Sequence, residues 1–125
     1  MPARILLVDD HESVRRGIRT LFANDASLQV CGEAQNGMDG VRMVAELSPD
    51  VVILDLTMPG MNGFETAAKI RQIAPSIRII FFTLHELPAS AWWVGADACV
   101  SKSSSPEELA LTVNRVLQLR GNVQP

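Results

Sequence analysis

Three carboxylates, one hydroxyl and one amine stand where apolar runs of the chain end. Asp9 and Asp10 close Ile5-Leu6-Leu7-Val8, and Asp55 closes Val51-Val52-Ile53-Leu54. Thr83 follows the run from Ile77 to Phe82, and Ser101-Lys102 follows Ala98-Cys99-Val100. Short apolar runs rich in β-branched residues read as strands buried on both faces, so these side chains are expected at the carboxyl ends of strands. Ligands of open α/β sheets bind at that edge. Three carboxylates brought together repel unless a cation sits among them or one takes a proton. No His or Cys set stands near them, which argues against zinc, whereas a few carboxylates plus water suit Mg²⁺, an ion that prefers to share a phosphate. A hydroxyl and an ammonium on neighbouring strands would complete a phosphate site. A carboxylate can itself be the nucleophile and give an aspartyl phosphate. An isolated strand-end Asp is usually a cap or a turn residue. The company Asp55 keeps points instead to phosphoryl transfer onto it.

The elements that position these residues alternate strand and helix. After the first strand, Val14, Ile18, Leu21 and Phe22 recur at helical spacing, with Arg15, Arg16 and Arg19 on other faces. Leu28 to Ala34 is a second, weaker strand, with Asn36-Gly37 turning the chain after it. Val41, Val44 and Ala45 mark a second helix that stops before Ser48-Pro49. After Asp55, the turn residues Thr57, Pro59 and Gly60 lead to Asn62-Gly63-Phe64-Glu65, a side-chain cap with Glu three residues on, which starts a helix running to about Ile73. Beyond the fourth strand, His85-Glu86-Leu87-Pro88 leads to a short segment from Ala89 to Val94. Ser105-Pro106-Glu107-Glu108 then opens a last helix with apolar face Leu109, Val113, Val116 and Leu117, predicted to end at Gly121. Five βα units with short connections imply a doubly wound parallel α/β sheet covered on both sides. Residues 1–121 form one domain, and 122–125 read as a C-terminal tail or truncated linker.

Composition narrows the class. A chain of 125 residues with a hydrophobic fraction of 47% and a charged fraction of 20% is an ordinary soluble globular domain. Net charge −3 with no run of Lys or Arg argues against nucleic-acid contact by this chain. No apolar run approaches the roughly 18–20 residues that span a membrane, and the N-terminus does not read as a signal peptide. Cys31 and Cys99 lack metal-ligand spacing and read as free thiols of a cytoplasmic protein.

The residues that argue phosphoryl transfer also carry a resemblance. Leu6-Leu7-Val8-Asp9-Asp10, Asp55 with Met58-Pro59-Gly60-Met61-Asn62-Gly63, Thr83, Gly95-Ala96 and Lys102 resemble the receiver domain of bacterial response regulators, from about Arg4 to about Leu119. The resemblance implies the CheY-like, flavodoxin-like fold, with five strands in order 2-1-3-4-5 and five helices. It implies that Asp55 accepts a phosphoryl group from a sensor histidine kinase or a small phosphodonor. It implies Mg²⁺ held directly by Asp10, Asp55 and the main-chain carbonyl of Thr57, with Asp9 acting mainly through water. Thr83 and Lys102 would hold phosphoryl oxygens. The output would be an altered surface of the fourth helix, fifth strand and fifth helix, acting on an output domain, a partner protein or a second copy.

The sequence departs from the family pattern at its switch. The aromatic residue usual three positions before the Lys is Cys99, too small to make the family's rotameric swing. The usual Pro after the Lys is Ser103, so the cis peptide often found there is not expected. Counted from Thr83 to Gly95, the fourth connection is about three residues short, nearly one helical turn. His85 reads either as an exposed loop residue or, by resemblance, as a modulator with Thr57 of phosphoryl hydrolysis. Trp92 and Trp93 point about 100° apart on a helix, one toward the core and the other available as a partner anchor.

Three functions compete. The first is a phosphorylation-driven switch, a regulatory domain that catalyses only its own phosphorylation and dephosphorylation. The second is a degenerate receiver serving as a constitutive interaction module, which the altered switch residues keep open. The third, an aspartate-nucleophile phosphatase of the haloacid dehalogenase type, needs an Asp two residues after the nucleophile, where Thr57 stands. The segment pattern resembles receivers joined to DNA-binding domains in LuxR-type transcription regulators.

Overall fold

The computed structural model describes residues 2–84 and 95–123. Its elements are β1 (Ala3–Val8), α1 (Glu12–Ala23), β2 (Leu28–Ala34), α2 (Gly37–Leu47), β3 (Val51–Leu54), α3 (Gly63–Ile73), β4 (Arg78–Thr83), β5 (Ala98–Ser101) and α4 (Pro106–Val123). The predicted helical segment from Ala89 to Val94, with His85, Pro88, Trp92 and Trp93, lies outside the described residues. The fifth helix of the expected scheme is therefore α4 here.

The strands make one parallel sheet in the order β2-β1-β3-β4-β5. Successive side chains of a strand point to opposite faces, and both faces are apolar. Ile5, Leu7, Val51, Ile53 and Ile80 meet Ile18 and Phe22 of α1 and Leu109, Val113 and Val116 of α4. Leu6, Val8, Val52, Leu54, Ile79 and Phe81 meet Val44 of α2 and Ala67 and Ile70 of α3. A strand that must be apolar on both sides has no room for alternation, which is why β1 and β3 read as unbroken runs. Burying each such side chain is worth about 1.5–3 kcal/mol.

Local signals place the helices. Asn62 and Glu65 form a complete capping box: Asn62 Oδ1 accepts the Glu65 N–H at 2.9 Å, and Glu65 Oε1 accepts the Asn62 N–H at 3.3 Å. Asn36 does more than turn the chain, since its side chain caps α2 by accepting the Asp39 N–H at 2.8 Å. α2 ends at Ser48, which is left-handed with φ 48° ahead of Pro49. All described peptide bonds are trans.

One expectation is corrected. The last helix does not stop at Gly121 but continues to Val123. Glycine inside a helix costs only about 1 kcal/mol relative to Ala, too little to end one by itself. Arg15 stands off the apolar stripe of α1, as its spacing predicts, yet away from solvent. It is buried, because that side of the helix lies against β2, where Glu33 receives it at 3.0 Å.

Candidate functional site

β1 and β3 are neighbours, but the chain leaves them in opposite directions across the sheet, to β2 and to β4. Such a reversal opens a crevice at the carboxyl ends of the two strands. The ladder runs one residue past each strand and delivers the acidic residues to it. The Asp9 N–H donates to the Ala34 carbonyl at 3.0 Å and the Asp55 N–H to the Val8 carbonyl at 2.9 Å. On the far side of β4, the Lys102 N–H donates to the Thr83 carbonyl at 2.8 Å, which brings that lysine to the same edge.

Asp9 and Asp55 are 3% and 4% exposed, so both carboxylates are taken almost wholly out of water. Lys102 answers them, with Nζ 2.8 Å from Asp9 Oδ2 and 3.4 Å from Asp55 Oδ1. Its ammonium also lies 5.9 Å from the centre of the Phe82 ring. The Thr57 N–H donates to Asp55 Oδ1 at 3.3 Å. Burial first, and then the charge of Asp9, raises the Asp55 carboxyl above its ordinary pKa, against the opposing pull of Lys102 and the Thr57 N–H. A cavity of about 130 Å³ opens over this group, lined by His11, Asp55, Thr57, Thr83, Leu84 and Lys102. A larger hollow of about 440 Å³ lies at the amino ends of the strands, but Asp50 is the one ionisable residue lining it. The chemistry resides in the smaller cavity.

Glycine makes the approach of α3 to this edge achievable. A Cβ on Gly63 would stand 2.5 Å from the Asp55 carbonyl oxygen and 2.6 Å from Leu56 Cα, both backbone atoms that cannot move aside. Gly63 therefore lets the first turn of α3 press against the loop that carries Asp55, and its N–H donates to the Leu56 carbonyl at 3.0 Å.

The donor set fits a divalent cation. Asp9, Asp10, His11 and Asp55 each offer one ligand atom, all within 4.8 Å of one another. Asp10 Oδ1 is buried and has no hydrogen-bond partner among the described residues. Buried carboxylate oxygens are rarely left so, and a cation is the partner that would satisfy it.

Of the residues singled out in the sequence, Asp55, Thr57, Thr83 and Lys102 thus line one cavity, and Asp9 and Asp10 stand beside Asp55. Cys99 is elsewhere: it is half-buried against the core shared by Phe81 and Leu54, where burial pushes its thiol pKa up. His85, Trp92 and Trp93 lie outside the described residues. Three residues at the site were not anticipated. The exposed Leu84 forms part of the cavity wall. His11 turns its ring toward the acidic pair, with Nδ1 3.3 Å from Asp9 Oδ1 and 3.0 Å from Asp10 Oδ1. Arg15 donates to the main-chain carbonyl of Asp9, while Glu12 and Glu33 balance its charge at 2.7 and 3.0 Å. The signal for His11 was present: it occupies the cap position of α1, where Ser, Thr, Asp or Asn is preferred, and makes no side-chain cap.

A parallel five-stranded sheet in this order, with paired acids, a strand-end Asp, Thr and Lys at one edge, defines a class of protein, and comparison with known proteins agrees. The description "Response regulator receiver domain" matches residues 5–114. The nitrate/nitrite response regulator protein NarL of Escherichia coli (strain K12) is 42% identical over 111 residues, 86% of this chain and 51% of that protein. Response regulator UvrY of the same strain is 38% identical over 115 residues, 90% of this chain and 53% of that protein. The crystal structure of a LuxR-family two-component response regulator from Aurantimonas sp. SI85-9A1 superposes with TM-score 0.88 at 40% identity, covering 94% of this chain and 86% of that one. The chain belongs to the response regulator receiver domain family and has the CheY-like fold. It spans about half the length of NarL and UvrY. Among the described residues no helix is long and apolar enough to cross a membrane.

Proposed function

We propose that the chain is a phosphorylation-driven switch in which Asp55 accepts a phosphoryl group from the phosphohistidine of a sensor histidine kinase, in the cytoplasm and with Mg²⁺. The observation that carries this reading is the buried Asp55 sharing one cavity with Thr83 and Lys102, beside two further carboxylates. An Asp55 carboxylate oxygen bonds to phosphorus as the P–N bond of the donor breaks. The imidazole departs with the bonding electron pair. Asp10, Asp55 and the Thr57 carbonyl would hold Mg²⁺ directly and Asp9 mainly through water, and the ion would supply positive charge to offset the acids and the phosphoryl oxygens. Lys102, which pairs with Asp9 and Asp55 in the structure, turns to the phosphoryl oxygens, and the Thr83 hydroxyl donates to another.

The new dianion at the ends of β3, β4 and β5 alters the surface of β5, α4 and the segment before β5. Homodimerisation or contact with an output module follows from that change. The likeness to NarL and UvrY, of which the matched residues make up 51% and 53%, supports an output module carried on a longer protein, with the receiver itself making no nucleic-acid contact. A degenerate receiver acting as a constitutive interaction module is the second reading, favoured by Cys99 at the aromatic switch position.

Incubation with Mg²⁺ and acetyl phosphate is expected to add one phosphoryl group by intact mass, and Asp55→Asn to abolish the addition. Labelling retained in that variant would sink the assignment of Asp55. No labelling of the unaltered chain would favour the constitutive module.

A further inference from the structure

We propose that His11 supplies a nitrogen ligand to the cation site of Asp9, Asp10 and Asp55, and shifts its preference from Mg²⁺ toward nitrogen-seeking transition ions such as Mn²⁺ and Zn²⁺. The inference rests on the reading of the acidic cluster as a cation site, and extends it to a residue outside the expected ligand set.

Geometry carries the argument. Two neighbouring ligands on an octahedron with bonds of about 2.1 Å stand about 3.0 Å apart, and opposite ligands about 4.2 Å. Tetrahedral neighbours at about 2.0 Å from a zinc-type ion stand about 3.3 Å apart. His11 Nδ1 lies 3.0 Å from Asp10 Oδ1 and 3.3 Å from Asp9 Oδ1, and all four ligand atoms fall within 4.8 Å of one another. The two His11 distances match neighbouring ligands, while a spread of up to 4.8 Å asks the set to close by roughly half an ångström around one ion. The 3.0 Å approach between Nδ1 and Asp10 Oδ1 is not a hydrogen bond, since that oxygen is buried without a partner among the described residues. Nδ1 hydrogen-bonds instead with Asp9 Oδ1 at 3.3 Å, a contact that an ion seated between the two atoms would replace.

The position of the ring is also built in. The His11 N–H donates to Asp9 Oδ1 at 2.9 Å, which ties its main chain to the acidic pair. At the cap of α1 the side chain makes no capping bond and turns inward to Asp9 Oδ1 instead. Its ring remains 62% exposed, so its far edge is in water and a bound ion would not have to be sealed from solvent.

The chemistry of the donors sets the selectivity. Mg²⁺ takes oxygen ligands and keeps waters. Affinity of a mixed nitrogen and oxygen site rises from Mn²⁺ toward the later divalent ions, and imidazole in particular suits zinc. Replacing one water or carboxylate oxygen by an imidazole nitrogen raises the affinity for such ions while leaving Mg²⁺ almost unaffected.

The test uses the full chain without a histidine tag. Calorimetric titration with Mg²⁺, Mn²⁺ and Zn²⁺ is made on the unaltered protein, His11→Ala, His11→Gln and Asp10→Asn. Electron spin-echo modulation of the Mn²⁺ complex reads directly for a coupled nitrogen-14. Expected are a nitrogen coupling in the unaltered chain that disappears in His11→Ala, and a Zn²⁺-to-Mg²⁺ affinity ratio that drops about tenfold or more in both His11 variants. Asp10→Asn is expected to weaken all three ions. If the Mn²⁺ complex shows no nitrogen, or if the His11 variants keep the unaltered ratio, His11 is a hydrogen-bonding neighbour and the proposal falls while the cation site stands. If none of the ions binds the unaltered chain, the cation site and the proposal fall together.

Discussion

Asp55→Asn should make the metal-free protein more stable. Asp9, Asp10 and Asp55 have ligand oxygens within 4.8 Å of one another, and two unit charges at that separation repel by about 3.5 kcal/mol at an effective dielectric near 20. Asp55 meets that repulsion twice, about 7 kcal/mol in all. Lys102 Nζ at 3.4 Å returns about 5 kcal/mol on the same scale. The difference, about 2 kcal/mol against the charged carboxylate, is what an isosteric amide removes. Asn keeps an oxygen for the Thr57 N–H and for Lys102, so little else is lost. For a domain of this size about 2 kcal/mol corresponds to a Tm higher by roughly 6–8 °C. The pH dependence has a definite sign. Because the folded pKa of Asp55 is raised, by burial and then by Asp9, the folded state holds a proton over a range where the unfolded chain has lost it. Stability is present below the ordinary carboxylate pKa and falls as pH rises through the folded value. The advantage of Asp55→Asn should therefore be small near pH 4 and open toward neutrality. Thermal melts in EDTA across that range measure it, and added Mg²⁺ should raise the unaltered chain more than the variant. A variant that melts at or below the unaltered protein at pH 7 in EDTA would refute the reasoning, by showing that the Lys102 pairing outweighs the repulsion.

Other outcomes follow from single contacts. Arg15→Ala strips the Asp9 carbonyl and Glu33 of a buried cation, and because Glu33 keeps Arg19 at 2.6 Å the loss should be about 2–3 kcal/mol by urea denaturation, less than for a fully orphaned charge. Gly63→Ala forces a methyl against the Asp55 carbonyl and should cost about 1–3 kcal/mol while slowing phosphorylation by acetyl phosphate, since the loop carrying Asp55 must shift. Lys102→Ala removes the ammonium that competes for Asp9 and Asp55, so calorimetric Mg²⁺ affinity should hold or tighten while the response to phosphorylation is lost.

The frame was legible because each of its signals is local. β1 and β3 each hold a four-residue apolar run that ends at an acid, and burial on both faces leaves no other composition open to a central parallel strand. The Asn62–Glu65 capping box is written within four residues and forms as read. The crevice followed from these, since strand order decides which chain ends meet: Asp9, Asp10, Asp55 and Lys102 sit one or two residues past a strand, and Thr83 is the last residue of β4. Arg15 was illegible for the opposite reason. Helical spacing places it off the apolar stripe of α1, and only the packing of that helix beside β2 reveals Glu33 opposite it.

That non-local contact changes how the acidic edge is understood. Glu12 and Glu33 hold Arg15, Glu33 and Glu12 also hold Arg19, and Arg15 in turn holds the carbonyl of Asp9. A buried cation thus anchors the main chain at the point where two carboxylates must be kept together against their own repulsion. Lys102 performs the same service from the other side, by charge on the side chains. The two differ in what they can release. Arg15 is locked by three partners and serves the backbone, so it stays when a cation arrives. Among the described residues Lys102 pairs its charge only with the carboxylates, and it would be displaced from them by a divalent ion that took over their charge. An edge built with one fixed and one releasable cation would keep its acids in place before phosphorylation, and on the function proposed above would leave an ammonium free to meet the phosphoryl group afterwards.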